Sequence, residues 1–119
     1  MYPLERKYRM EISIKKIEDK TILSIKGKLD MERSAQFQKV YRELIKKGDK
    51  FFLLDMSRVD HIDSSGLSIL VNFLRNVRGV NGQLKLYGLG STTKNIFSLT
   101  CLDNIFNIHE NFNDATGSH

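Results

Sequence analysis

One cysteine, Cys101, and one proline are all that the 119 residues contain. A lone thiol makes no intramolecular disulfide, and its mostly apolar neighbours suit a reducing compartment, so a cytoplasmic protein is expected. Long apolar runs are missing too. None approaches the ~20 residues that span a bilayer, and the charged stretch from Met1 to Arg9 lacks the apolar centre of a secretion signal. With three dispersed histidines and no His-x-x-x-His or Cys-x-x-Cys spacing, no metal site is expected. Gly-x-Ser-x-Gly is also absent. Asp60, His61, Asp63, Ser64 and Ser65 contain the ingredients of a hydrolase triad, but adjacency in sequence does not create its geometry, and no catalytic residue is assigned. Gly88-Leu89-Gly90-Ser91 lacks the Lys-Ser/Thr of a phosphate loop and the third glycine of a dinucleotide fingerprint, which leaves it a helix-opening turn.

Lysine and arginine outnumber aspartate and glutamate by 19 to 14, a formal charge of +5. The basic residues are scattered in small clusters at Arg6-Lys7, Lys15-Lys16 and Lys46-Lys47, with no aromatic-rich RNA-binding motif, so no nucleic-acid partner is expected. At 28% charged and 40% hydrophobic residues, the chain has the composition of one ordinary globular domain.

Periodicity supplies the elements. Met10, Ile12 and Ile14 alternate with polar residues, and Thr21 to Ile25 follows the polar Glu18-Asp19-Lys20, which predicts an antiparallel hairpin. Phe37, Val40, Tyr41, Leu44 and Ile45 recur at helical spacing from about Glu32 to Lys47, and Gly48 is placed to stop that helix in the left-handed region. Phe51 to Met56 reads as a buried strand leading into a loop that presents Asp63-Ser64-Ser65-Gly66 at a helix start. Leu67, Leu70, Val71, Leu74 and Val77 form the core stripe of that helix, with Gly79 and Gly82 at its exit. Leu84 and Leu86 lie in a further strand. Ser91-Thr92-Thr93 would cap a helix through about Leu99, and a last short strand falls between Asn104 and His109. Two strand-helix-strand passages imply parallel pairings with right-handed crossovers. The expected fold is α/β: one domain with a mixed sheet of about four to five strands flanked by helices.

At the serines, Asp63 or Ser64 could simply cap the helix. First-turn amides lack intrahelical partners and carry the positive end of the helix dipole, so a phosphate on Ser64 or Ser65 would be tolerated there. Ile69 and Phe73 widen the apolar arc of the helix beside the polar Ser68 and Asn72, and this sector either packs on a neighbour or faces a partner.

Val59 to Leu67, reading Val-Asp-His-Ile-Asp-Ser-Ser-Gly-Leu, resembles the signature of the STAS family, particularly its anti-sigma factor antagonists. Leu23 to Asp30, ending in Gly27-Lys28-Leu29-Asp30, together with Gly82 to Tyr87 and Ile96 to Leu102, resemble further family segments, in order and at family spacing. The resemblance covers roughly residues 10 to 112, leaving 1–9 as an N-terminal extension and 113–119 as a C-terminal tail whose last three residues read as a tag remnant. Ser68, where many members carry glycine, and the polar 88–94 connection depart from the pattern.

The resemblance implies that Ser65 accepts phosphate from a partner kinase, with Asp63, Ser64 and Gly66 as neighbours in the switch loop. Asp30 would lie near the acceptor, and Asp30, Ser68, Ile69, Asn72 and Phe73 are the candidate partner-binding residues. It further implies an anti-sigma factor with serine kinase activity as partner, a phosphoserine phosphatase that reverses the mark, no intrinsic cofactor, and ATP and Mg²⁺ used only by the kinase. A STAS scaffold in a signalling complex, or an accessory STAS subunit of a membrane transport system, is the alternative the resemblance leaves open.

Overall fold

Alternation along Phe51 to Met56 sends Phe52, Leu54 and Met56 to one side of a strand and Leu53 to the other, and two apolar clusters of unequal size form on the two faces. The structure is a computed structural model that describes residues 11–117; Met10 of the expected hairpin, and the extension before it, lie outside the described residues. The elements run β1 (Glu11–Ile17), β2 (Lys20–Leu29), α1 (Met31–Lys46), β3 (Phe51–Ile62), α2 (Ser64–Gly79), β4 (Gln83–Tyr87), α3 (Ser91–Leu99), a 3-10 turn (Leu102–Asn104), β5 (Asn107–His109) and α4 (Phe112–Gly117). The sheet order is β1-β2-β3-β4-β5, antiparallel in the first pair and parallel in the other three.

The larger core lies between the sheet and the helices. Phe73 is at its centre, stacked on Tyr41 at 4.3 Å between ring centroids and edge-on to Phe52 and Phe37 at 5.1 and 5.5 Å. Such pairs add about 0.5–1.5 kcal/mol each beyond their area. On the opposite face Ile22, Leu53 and Tyr87 are buried with Ala115 of α4, against which Phe112 also packs. Lys85 Nζ donates to the Ala115 carbonyl at 2.9 Å, holding α4 down.

Helix α1 ends as its sequence suggests. Gly48 has φ +109, and the Gly48 and Asp49 amides return to the Ile45 and Leu44 carbonyls at 3.0 Å each, the paired closure of a Schellman motif. Helix α2 ends in the same motif with Asn81 in the left-handed position at φ +59. Gly82 has a different reason: a Cβ there would lie 2.1 Å from the Lys50 carbonyl oxygen.

Four expectations are corrected. The strand predicted to end near Met56 continues to Ile62, so His61 is a strand residue and not a loop residue. Beyond Asp55 it pairs only with β2, through two register shifts that each leave an extra residue in β3, the second beside Gly27, φ +108. Helix α3 has no side-chain cap; Gly90 occupies the capping position, and Thr93 of the expected capping cluster is buried. The core stripe of α2 is rotated, with Phe73 buried while Leu67 and Val71 are partly exposed. Residues 112–117, assigned mostly to a tail, form α4 with Ala115 buried, because Ala115 and Phe112 close the second cluster.

Candidate functional site

Strands β2 and β3 finish together at the pair Leu29↔Ile62, and each hands over to a helix through an aspartate. Asp30 caps α1 and Asp63 caps α2 in nearly the same extended conformation, φ −113, ψ −172 and φ −108, ψ −172. Asp30 accepts from the Arg33 amide at 3.1 Å, and Asp63 accepts from the Gly66 amide at 3.0 Å. The Asp63 amide donates to the Leu29 carbonyl at 3.4 Å, which ties the two caps side by side. Two positive helix ends therefore converge at the carboxyl edge of the sheet. Asp63, not Ser64, is the cap, so neither serine hydroxyl is consumed by that role.

Ser64 and Ser65 become the first two residues of α2. Ser64 is exposed and Ser65 partly buried. Gly66 is buried against the end of β2, where a Cβ would lie 2.2 Å from the Leu29 carbonyl oxygen and 2.8 Å from Ile62 Cγ1. The glycine lets the helix start seat directly on the strand pair, and this seating fixes where Ser65 stands. Asp30 also pairs with Arg33, Nη1 to Oδ2 at 2.7 Å. The Arg33 amide hydrogen bond, helped by the guanidinium charge, holds the Asp30 carboxyl below its usual range despite partial desolvation.

Ser65, Ser68, Ile69 and Asn72 share one face of α2 at helical spacing. Ser68 is exposed, while Ile69 and Asn72 are partly so. Asn72 is held in place, donating through Nδ2 to the Tyr41 hydroxyl at 2.8 Å and accepting from Asn76 Nδ2 at its backbone oxygen at 2.7 Å and at Oδ1 at 3.3 Å. Burial raises the Tyr41 pKa against the opposing hydrogen bonds of Gln38 and Asn72, so the phenol stays neutral. Phe73, expected among the partner-facing residues, is fully buried and belongs to the core. A groove of about 410 Å³ borders this face, between α2 and the segment after α3, lined by Leu67, Ser68, Val71, Asn72, Arg75, Thr100 and Leu102. Leu67 and Val71 were expected in the core stripe, while Arg75, Thr100 and Leu102 carried no signal in a wheel drawn for α2 alone. Arg33, also missed, was findable as a cation three residues after a helix cap.

The STAS domain family profile matches residues 11–115. The chain belongs to the STAS domain family. A Thermotoga neapolitana protein provisionally named an anti-sigma factor antagonist is 34% identical over 100 residues, covering 83% of this chain and 88% of that protein. The crystal structure of a similarly named Thermotoga maritima protein superposes with a TM-score of 0.85 at 30% identity, covering 89% of this chain and 92% of that one. The phosphorylated form of the Bacillus cell fate determinant SpoIIAA shares the fold at a TM-score of 0.72, with 17% identity and coverage of 89% and 96%. Among the described residues no helix is long and apolar enough to cross a membrane, and no group of three or more His, Cys, Asp or Glu side chains is arranged to hold a metal.

Proposed function

We propose that this STAS protein is an anti-sigma factor antagonist that binds an anti-sigma factor with serine kinase activity when Ser65 is unmodified, and that phosphorylation of Ser65 ends the complex. The observation that carries the reading is the position of Ser65: second residue of α2, partly exposed, beside two aspartate-capped helix starts and on the same face as Ser68, Ile69 and Asn72. The names of the Thermotoga relatives support the antagonist role, and a phosphorylated SpoIIAA with the same fold is consistent with the modification. The protein acts as ligand and substrate. ATP and Mg²⁺ belong to the kinase, and a separate phosphatase returns the hydroxyl.

Phosphorylation adds about −1.5 to −2 charge. Within the chain that charge meets unpaired first-turn amides and a favourable dipole, worth about 0.3–1 kcal/mol, so the fold tolerates it. Against a fitted partner it is a desolvated anion without a matching cation, and a loss of about 2.8 kcal/mol already weakens binding about a hundredfold. The switch therefore needs no rearrangement of the antagonist.

Affinity capture from the native cytosol, with wild-type and Ser65→Glu baits and phosphopeptide mapping, tests this. Wild type is expected to retain a kinase-like anti-sigma factor that Ser65→Glu loses, with phosphate on Ser65. Recovery of transporter subunits by both baits, with neither serine phosphorylated, would overturn the proposal in favour of an accessory-subunit role.

A further inference from the structure

Edge strands are the places where a sheet is open to another chain, because one row of N–H and C=O groups has no neighbour. At one edge of this sheet β5 is only three residues long. Among the described residues the other edge, β1, is seven residues long, pairs with β2 without a register shift, and contains neither proline nor bulge. Six of its seven residues are exposed. Two are large and apolar: Ile14 is 50% and Ile17 39% exposed.

We infer that β1 is a self-pairing seam, through which two copies of the chain join antiparallel about a two-fold axis at Ser13. The argument is one of complementarity. With Ser13 opposite Ser13 of the second copy, Ile12 faces the copy's Ile14, and Glu11 faces its Lys15. Symmetry repeats both pairs, so the five positions from Glu11 to Lys15 meet with two apolar pairs, two opposite-charge pairs and one hydroxyl pair. The neighbouring two-fold registers lose the charge pairs: centring on Ile12 sets Glu11 opposite Ser13, and centring on Ile14 sets Glu11 opposite Ile17 and Ile12 opposite Lys16.

The side chains also fall on suitable faces. Ile12 and Ile14 pair with Ile25 and Leu23 of β2, both core residues on the helix side. Ile12 already packs against that core. Pairing across the seam would continue the apolar layer into the second copy and cover the exposed side of Ile14. Lysines on an edge ordinarily repel an added strand. Here Lys16 is occupied by Asp49, Nζ to Oδ1 at 2.6 Å, and Lys15 would be answered by Glu11 of the other copy. This inference does not rest on the role proposed for Ser65.

Sedimentation of the full chain over a wide concentration range, up to the millimolar end, tests it. Wild type is expected to pass reversibly from monomer to dimer. Lys15→Glu turns both charge pairs repulsive and should weaken dimerisation by about tenfold or more, whereas the double swap Glu11→Lys/Lys15→Glu should restore it. Circular dichroism confirms that each variant is folded. In a Cys101→Ser background, Ser13→Cys should form an interchain disulfide on mild oxidation, since opposed Cα atoms in antiparallel pairs lie about 4.5–5.5 Å apart, within disulfide reach. Ile12→Cys should cross-link poorly. A wild type that stays monomeric throughout would overturn the inference. So would a dimer insensitive to Lys15→Glu in which Ser13→Cys does not cross-link, because copies would then be meeting through another surface.

Discussion

Asp63 and Ser65 are two positions apart, and the proposed function gives them separable work. Asp63 accepts from the Gly66 amide, so Asp63→Ala should cost about 1 kcal/mol of stability, as lost caps do, which urea denaturation would measure. Ser65→Glu should leave the denaturation midpoint within about 0.5 kcal/mol of wild type, because an acid in the first turn suits the dipole. It should nevertheless weaken capture of the proposed kinase partner by about a hundredfold or more. A Ser65→Glu protein that bound normally, or that lost binding only by unfolding, would contradict the surface-charge account. Gly66→Ala is the harsher change. Its Cβ would meet the Leu29 backbone oxygen at 2.2 Å, and a carbonyl in a strand has little room to retreat, so α2 must lift from the strand ends. A stability loss larger than that of Asp63→Ala is expected, together with slower phosphorylation of Ser65.

At the scale of the element, α2 divides into a side that builds the core and a more exposed side that the proposed function assigns to a partner. Phe73→Ala removes the ring shared by Tyr41, Phe37 and Phe52 and should cost about 3–5 kcal/mol. Ile69→Ala, one turn earlier and only partly buried, should cost under about 1.5 kcal/mol yet reduce partner binding. Calorimetry and a binding titration on the same two variants would separate them; equal stability losses would show that Ile69 is core. The sequence could not make this division. On a wheel Ile69 and Phe73 occupy adjoining sectors, and only the positions of Tyr41 and Phe52, which come from α1 and β3, decide which is covered. Elements with strong period were legible: the hairpin, α1 with its Gly48 stop, and the parallel strands around Phe52 and Leu84. The second half of β3 was not, because Ser57, Arg58, Asp60 and His61 are exposed and pair on one side only, so they lack the apolar content by which a strand is read. Helix α4 was missed for a similar reason. Six residues containing asparagine, aspartate and glycine carry little helix propensity, and its burial depends on Tyr87 and Lys85 more than twenty residues away. Ser65 was singled out by the motif resemblance alone, and the structure places it in the first turn of α2 beside the twin aspartate caps.

Over the whole molecule, a few ionisable groups tie distant elements together and set how stability responds to pH. Asp49 follows α1 yet holds β1 through Lys16 and β2 through Thr21, at 2.6 and 2.9 Å. Burial opposes its ionisation, but these hydrogen bonds and the charges of Lys16 and Lys47 outweigh burial and bring its pKa below the ordinary value. A carboxyl with a depressed folded pKa stabilises the fold above its unfolded pKa and loses that contribution as pH falls through the folded value. The stability gap between wild type and Asp49→Asn should therefore be widest near neutrality and shrink below about pH 4. The alkaline side runs oppositely. Burial, reinforced by the charge and hydrogen bond of Asp55, pushes the Tyr87 pKa up to about 12. The unfolded phenol ionises near pH 10, so between about 10 and 12 the unfolded state gives up a proton that the folded state keeps, and unfolding gains. Tyr87→Phe should flatten the fall of stability across that window, after the common titration of the lysines is subtracted. Absorbance titration of the phenolates supplies the independent check. Of the four tyrosines, Tyr87 should ionise late, and a wild-type profile with every phenol titrating together near pH 10 would remove the basis for the alkaline prediction.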